Sequence, residues 1–139
     1  MDTKEIKVIL IDDDPVSAIT NTKLIKLLNF SQKVTTFNNA SECLQHLQKT
    51  INDAPHEAPD VIFLDKMMPL MNASDFLQQF RQLKPQIPQT IHVCLLSAFA
   101  DIAPKQQNEW QDVSLFLSKP LDEEKLEQVR KLINTNTKK

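Results

Sequence analysis

Three apolar runs in this chain lead directly into charged residues. Val8-Ile9-Leu10-Ile11 runs into Asp12-Asp13-Asp14, Val61-Ile62-Phe63-Leu64 into Asp65, and Leu115-Phe116-Leu117-Ser118 into Lys119-Pro120. A lone aspartate after a strand usually caps a helix. Three in a row repel one another unless something neutralises them. Asp14-Pro15 suits the first turn of a helix, which leaves Asp12 and Asp13 free. If Asp65 joins them, the carboxylates suit Mg²⁺, a hard ion that takes one or two carboxylates, keeps waters and accepts phosphate oxygens. A carboxylate can also attack phosphorus and form an acyl phosphate. Charge on the transferring group is then best offset from two sides, and Lys119 supplies a second cation. Ser97 offers a hydroxyl for a phosphoryl oxygen, and Ala98 beside it is small.

These residues can meet only if the fold brings them together. Short continuous apolar runs read as strands buried on both faces of a parallel sheet, and in such sheets chemistry collects beyond the carboxyl ends of the strands. Helical and strand patterns alternate. Val16, Ile19, Leu24, Leu27 and Leu28 predict the buried face of a first helix ending near Asn29. Residues 33–37 read as a second strand, and Ala40, Leu44, Leu47 and Ile51 as a helix capped by Asn38 or Asn39. Residues 52–59 form a Pro-containing loop into the third strand. Phe76, Phe80 and Leu83 mark a helix that must stop before Pro85. Residues 90–96 are the fourth strand, 101–110 a fourth helix with a poor apolar face, and 113–118 the fifth strand. Leu126, Val129, Leu132 and Ile133 mark the final helix. Five βα units imply an α/β fold with five parallel strands and five helices. One domain spans residues 1–133, and 134–139 form a polar C-terminal tail.

Composition narrows the function. A formal net charge of -2 argues against a basic face for nucleic acid. The longest apolar runs are too short to span a membrane, and residues 1–5 are no secretory signal. Cys43 and Cys94, far apart and without a CxxC, read as reduced thiols of a cytoplasmic protein. The chain has no glycine, where ordinary usage predicts roughly ten, so positive-φ turns fall to Asn or Asp. Asn29, Asn38, Asn39, Asn72 and Asn108 stand where helix ends or loops are expected.

Taken together, Asp12-Asp13, Asp65 followed by Met68-Pro69 and Met71, Ser97-Ala98 and Lys119-Pro120 resemble the receiver domain of two-component response regulators. The likeness covers nearly the whole chain and implies a flavodoxin-like, doubly wound sheet in the order 2-1-3-4-5. It implies that Asp65 is the phosphoacceptor, that Asp13 binds Mg²⁺ directly and Asp12 mostly through water, and that the Met67 carbonyl completes the protein ligands. Lys119 would contact the phosphoryl group, aimed by a cis bond to Pro120. Ser97 would move toward that group, and Phe116 would turn inward with it. The phosphodonor would be a sensor histidine kinase or a histidine phosphotransfer protein. The signal would pass to an unknown protein target through the face made by the fourth helix, fifth strand and fifth helix. An output domain would not be expected. Two departures stand out: Ala73 where the family usually has glycine, and Phe116 where tyrosine is common. Met67 and Phe99, bulky and apolar beside the expected route of water, predict slow autodephosphorylation.

Other readings compete. A haloacid-dehalogenase-like phosphohydrolase places D-x-D after its first strand, a spacing that Asp12-Asp13-Asp14 contains, but it needs a cap or extra segments. A flavin or nucleotide module needs a phosphate cradle there, which three carboxylates oppose. A phosphorylation-independent receiver-like module usually lacks an active-site residue, and none is missing. A receiver catalyses its own phosphotransfer and dephosphorylation but turns over no separate substrate. His46, His56 and His92 are scattered and read as structural or surface residues. Met67, Met68 and Met71 read as packing, and Trp110 as a half-buried aromatic.

Overall fold

The computed structural model describes residues 5–65, 73–87, 89–97 and 112–137, with 135–137 described by backbone alone. Strands β1 (Lys7–Ile11), β2 (Lys33–Phe37), β3 (Val61–Asp65), β4 (His92–Ser97) and β5 (Val113–Ser118) form one sheet, parallel throughout, in the order β2-β1-β3-β4-β5. The three inner strands are covered on both faces, as their unbroken apolar runs require. Four α-helices lie among the described residues: α1 (Pro15–Leu27), α2 (Ala40–Asp53), α3 (Ala73–Leu83) and α4 (Glu123–Thr137). The expected helix at 101–110, with Asn108 and Trp110, lies outside the described residues, as do Met67, Met68, Pro69, Met71, Asn72, Ala98 and Phe99. Among the described residues no helix is long and apolar enough to cross a membrane.

The sheet separates two cores. On one side Ile9, Ile11, Ile62, Leu64, Val93 and Leu95 pack against Leu44 and Leu47 of α2 and Phe76, Leu77 and Phe80 of α3. On the other, Val8, Leu10, Phe63, Cys94 and Leu96 pack against Ile25 of α1 and Leu126, Val129 and Ile133 of α4. Each fully buried Leu, Ile or Phe contributes about 1.5–3 kcal/mol. The two thiols are buried and unpaired. Burial pushes the Cys94 thiol up to about 12 and raises Cys43 further, which disfavours the thiolate that would react.

Local signals set the helix ends. Asp14 caps α1 by accepting from the Val16 N–H at 3.2 Å, with Pro15 at the first helical position. Of the two candidate caps of α2 the chain uses Asn39, whose Oδ1 accepts from the Glu42 N–H at 2.8 Å. Asn29 has φ 58°, the left-handed region usually given to glycine. The Asn29 N–H donates to Lys26 O and the Phe30 N–H to Ile25 O, which closes α1 with a Schellman turn built on asparagine. α3 stops at Leu83, ahead of Pro85. α4 continues to Thr137, past Ile133 where the sequence reading ended the domain.

The face assigned to α1 is corrected by the structure. Val16, Ile19 and Leu27 are 70%, 58% and 78% exposed, while Asn21 and Ile25 are buried, and Ala18, Leu24 and Leu28 are half-buried against the core. Apolar residues lie all around this helix, so periodicity alone does not decide which side meets the sheet.

β5 departs from a regular ladder. Val113 lies beside Val93 but Leu115 lies beside Cys94, which makes Ser114 a bulge.

Candidate active site

Parallel pairing brings the strand ends into one row. Ile11 pairs with Leu64, Asp65 with Leu96, and Ser97 with Ser118. Asp12, Asp65, Ser97 and Lys119 therefore emerge at the same sheet edge although they are scattered in sequence. Asp12 is held there by its own backbone, since its N–H donates to Phe37 O at 3.0 Å and extends the β1–β2 ladder by one residue.

The three acids differ in their surroundings. Asp12 is 2% exposed and Asp65 4%, while Asp13 faces solvent. One carboxylate oxygen from each lies within 4.8 Å of the others. Asp12 Oδ1 accepts from the Asp14 N–H at 3.0 Å. Its Oδ2 is buried and has no hydrogen-bond partner among the described residues, a state that costs free energy unless a cation or donor satisfies it. Asp14 is engaged as the helix cap, as the sequence separates it from its two neighbours.

Lys119 completes the group. Its Nζ lies 3.1 Å from Asp65 Oδ1, with the lysine side chain 29% exposed and the aspartate 5%. The Lys119 N–H donates to Ser97 O at 2.7 Å, so the last rung of the β4–β5 pairing fixes where that ammonium starts. The Lys119–Pro120 peptide is cis. Ser97 is buried at the end of β4. Phe116 is half-buried against the core shared with α2 and α3. Three carboxylates against one ammonium leave a formal charge of -2, the amount one divalent cation neutralises. The orphaned Asp12 oxygen and the all-oxygen donor set fit a hard cation. A cavity of about 280 Å³ opens beside Asp12 and Asp13, bounded by Ala18, Ile19 and Phe37. Met67, expected to supply a carbonyl, lies outside the described residues.

The chain matches the response regulator receiver domain family over residues 8–131, nearly its whole length. It belongs to that family. No curated protein matches it. Among solved structures, this receiver is similar to a two-component response regulator from Cytophaga hutchinsonii, at 24% identity and TM-score 0.82, covering 96% of this chain and 99% of that one. A CheY-like receiver domain from Methylobacillus flagellatus aligns at 18% identity and TM-score 0.75, over 94% and 99%. The receiver domain of a histidine kinase from Arabidopsis thaliana aligns at 18% identity and TM-score 0.74, over 96% and 90%. Receiver domains are signalling modules rather than enzymes that turn over a separate substrate.

Sequence reasoning missed two features of this receiver. Asp112, just before β5, has a buried side chain and binds Arg81 Nε at 2.7 Å and Lys84 Nζ at 3.0 Å, both at the end of α3. Burial pushes its carboxyl up, but the hydrogen bonds and charges of Arg81 and Lys84 outweigh that and hold it below the usual range. His92, read as an ordinary histidine, is buried with Nδ1 3.2 Å from Ser114 Oγ. Its pKa is lowered by burial, against a smaller opposing pull from Asp60. No local signal predicts either contact, because the partners are more than twenty residues apart.

Proposed function

We propose that this receiver is phosphorylated on Asp65 by a sensor histidine kinase or a histidine phosphotransfer protein, and signals through protein–protein contact in the cytoplasm. The observation that carries the reading is the pairing of a buried Asp65 with Lys119 at 3.1 Å, beside the Asp12–Asp13 pair. An Asp65 oxygen attacks phosphorus, the bond from phosphorus to the donor's histidine nitrogen breaks, and an acyl phosphate forms. Water later cleaves it. Asp12, Asp13 and Asp65 would hold Mg²⁺, with the Met67 carbonyl as the expected further ligand. When bound, the ion supplies positive charge against the oxygens of the transferring group. Lys119, just past the end of β5, contributes a second cation and orients the phosphoryl group.

Ser97 and Phe116 are the proposed switch. Ser97 offers its hydroxyl to a phosphoryl oxygen, and Phe116, half-buried on the next strand, changes position with it. The readout surface would be β5, α4 and residues 101–110. The test is incubation with acetyl phosphate and Mg²⁺ followed by intact mass. One phosphoryl group should be added to the wild type and none to Asp65→Asn. No adduct on the wild type, or an equal one on the variant, refutes the assignment.

A further inference from the structure

Among the described residues β5 is an edge strand of the sheet, paired only with β4, and its two ends are held by different parts of the fold. At the far end, Lys119 meets Asp65 of β3. Just before the first residue, Asp112 meets Arg81 and Lys84 at the end of α3. Between these anchors β5 holds one residue more than its ladder uses. Val113 pairs with Val93 and Leu115 with Cys94, leaving Ser114 over. The packing records the surplus. Val113 and Leu115, two residues apart, would share a face in a regular strand. Instead Val113 packs toward α2 and α3, and Leu115 toward α1 and α4.

A strand in this position has two solutions. In the observed one the first residues sit forward, the surplus bulges, and Ser114 Oγ rests 3.2 Å from His92 Nδ1. In the other, Ser114 lies beside Val93, Val113 moves back beside His92, and the ladder is regular. That shift carries Asp112 away by about 3.3 Å and turns it to the opposite face, out of reach of its two cations. Residues 115–118 are common to both solutions, because exchanging Leu117 and Phe116 between the two cores would expose or misplace buried side chains. The choice lies with the first three residues alone. On one side stand the ion pairs of Asp112, whose cations are 40% and 46% exposed, the Ser114–His92 contact and a half-buried Val113. On the other stands a regular, fully bonded ladder. Both are small, so a single group can decide between them.

We propose that β5 is a two-register strand in which Asp112, latched by Arg81 and Lys84, holds the first residues forward and stores the surplus at Ser114. Release of the latch lets the strand re-pair regularly while Lys119 stays in place. Asp112 is a positioning residue for the start of β5, and the device shifts the backbone entering this strand by one residue without disturbing the phosphorylation site.

The test is NMR of the labelled full chain, reading which β5 residue neighbours Val93. The wild type should show Val113 there. Asp112→Asn should show a second set of signals with Ser114 beside Val93, in at least roughly a tenth of the molecules. Deleting Ser114 in that variant leaves one register possible and should remove the second set. The double variant Arg81→Gln, Lys84→Gln opens the latch from the other side and should reproduce it. This double variant also covers the case in which Asp112→Asn does not fold. A single Val113–Val93 set in every folded latch variant overturns the proposal, and so does a second set that survives deletion of Ser114. The amide of Lys119 should stay protected from exchange throughout, and its loss with the latch would also refute the idea.

Discussion

Neutralising Asp12 should make the protein more stable without divalent metal and less responsive to Mg²⁺. Asp12 is 2% exposed, and its Oδ2 has no hydrogen-bond partner among the described residues. Two unit charges 4.8 Å apart, the outer limit for Asp12 and Asp65, repel by about 3.5 kcal/mol at an effective dielectric of 20. Lys119, 3.1 Å from Asp65, offsets much of the field that Asp65 presents to Asp12. Asp13 faces water and adds little. Asp12→Asn removes what is left, about 1–2 kcal/mol, or about 3 to 10 °C in Tm for a domain of this size. The amide oxygen can still accept from the Asp14 N–H, so the turn into α1 is kept. In the wild type, Mg²⁺ at a hundred times its Kd should add about 2.7 kcal/mol. The assay is thermal unfolding of both proteins in EDTA and across a Mg²⁺ titration. A variant less stable than the wild type in EDTA, or one that keeps the full Mg²⁺ shift, would refute the electrostatic account of this site.

Three further outcomes are expected. Asn29→Ala should cost about 1 kcal/mol, because at φ 58° a short polar side chain eases the left-handed backbone and a methyl group does not. Asn29→Gly should cost nothing or stabilise, and urea unfolding with equal midpoints for the two variants would contradict this. Acid should destabilise the protein in two windows. The folded pKa of His92 lies below 6.5 and that of Asp112 below 3.8, so in each case the unfolded chain takes the proton first. Stability is therefore complete above pH 6.5, falls as pH drops through the folded pKa of His92, and falls again below 3.8 through that of Asp112. Asp112→Asn should lose about 1 kcal/mol at pH 7, since its partners stay half in water, and should show a shallower lower window, to which Asp122 also contributes. Tm against pH for the two proteins checks both points. Polar substitutions at Met67 and Phe99 should speed loss of the phosphoryl group severalfold, and an unchanged half-life after acetyl phosphate is removed would count against their role in excluding water.

What can be read from the sequence here is what depends on near neighbours or on an unbroken pattern. The runs at Val8–Ile11 and Val61–Leu64 announce inner strands because both faces of such a strand are buried, whatever lies around it. Asp14 and Asn39 announce helix starts because a cap bonds an amide two or three residues on. Asn29 could be placed at a helix end because a chain without glycine has few other residues for a left-handed turn. The acids and the lysine could be assigned to one site because parallel strands all end at the same edge.

Tertiary structure alone decided three things. The buried side of α1 turned out to be Asn21 and Ile25 rather than Val16, Ile19 and Leu27, because a helix with apolar residues all round is oriented by the sheet it meets. The bulge at Ser114 is invisible in Val113–Ser118, which reads equally well as a regular strand. It exists because Val93 and Cys94 pair with residues two apart. The buried Asp112 gains its partners only when the end of α3 is folded against the start of β5. Local bonding fixes where elements begin and which strand ends carry charge. Which face is covered, and which register wins, depends on free energies shared between segments distant in sequence.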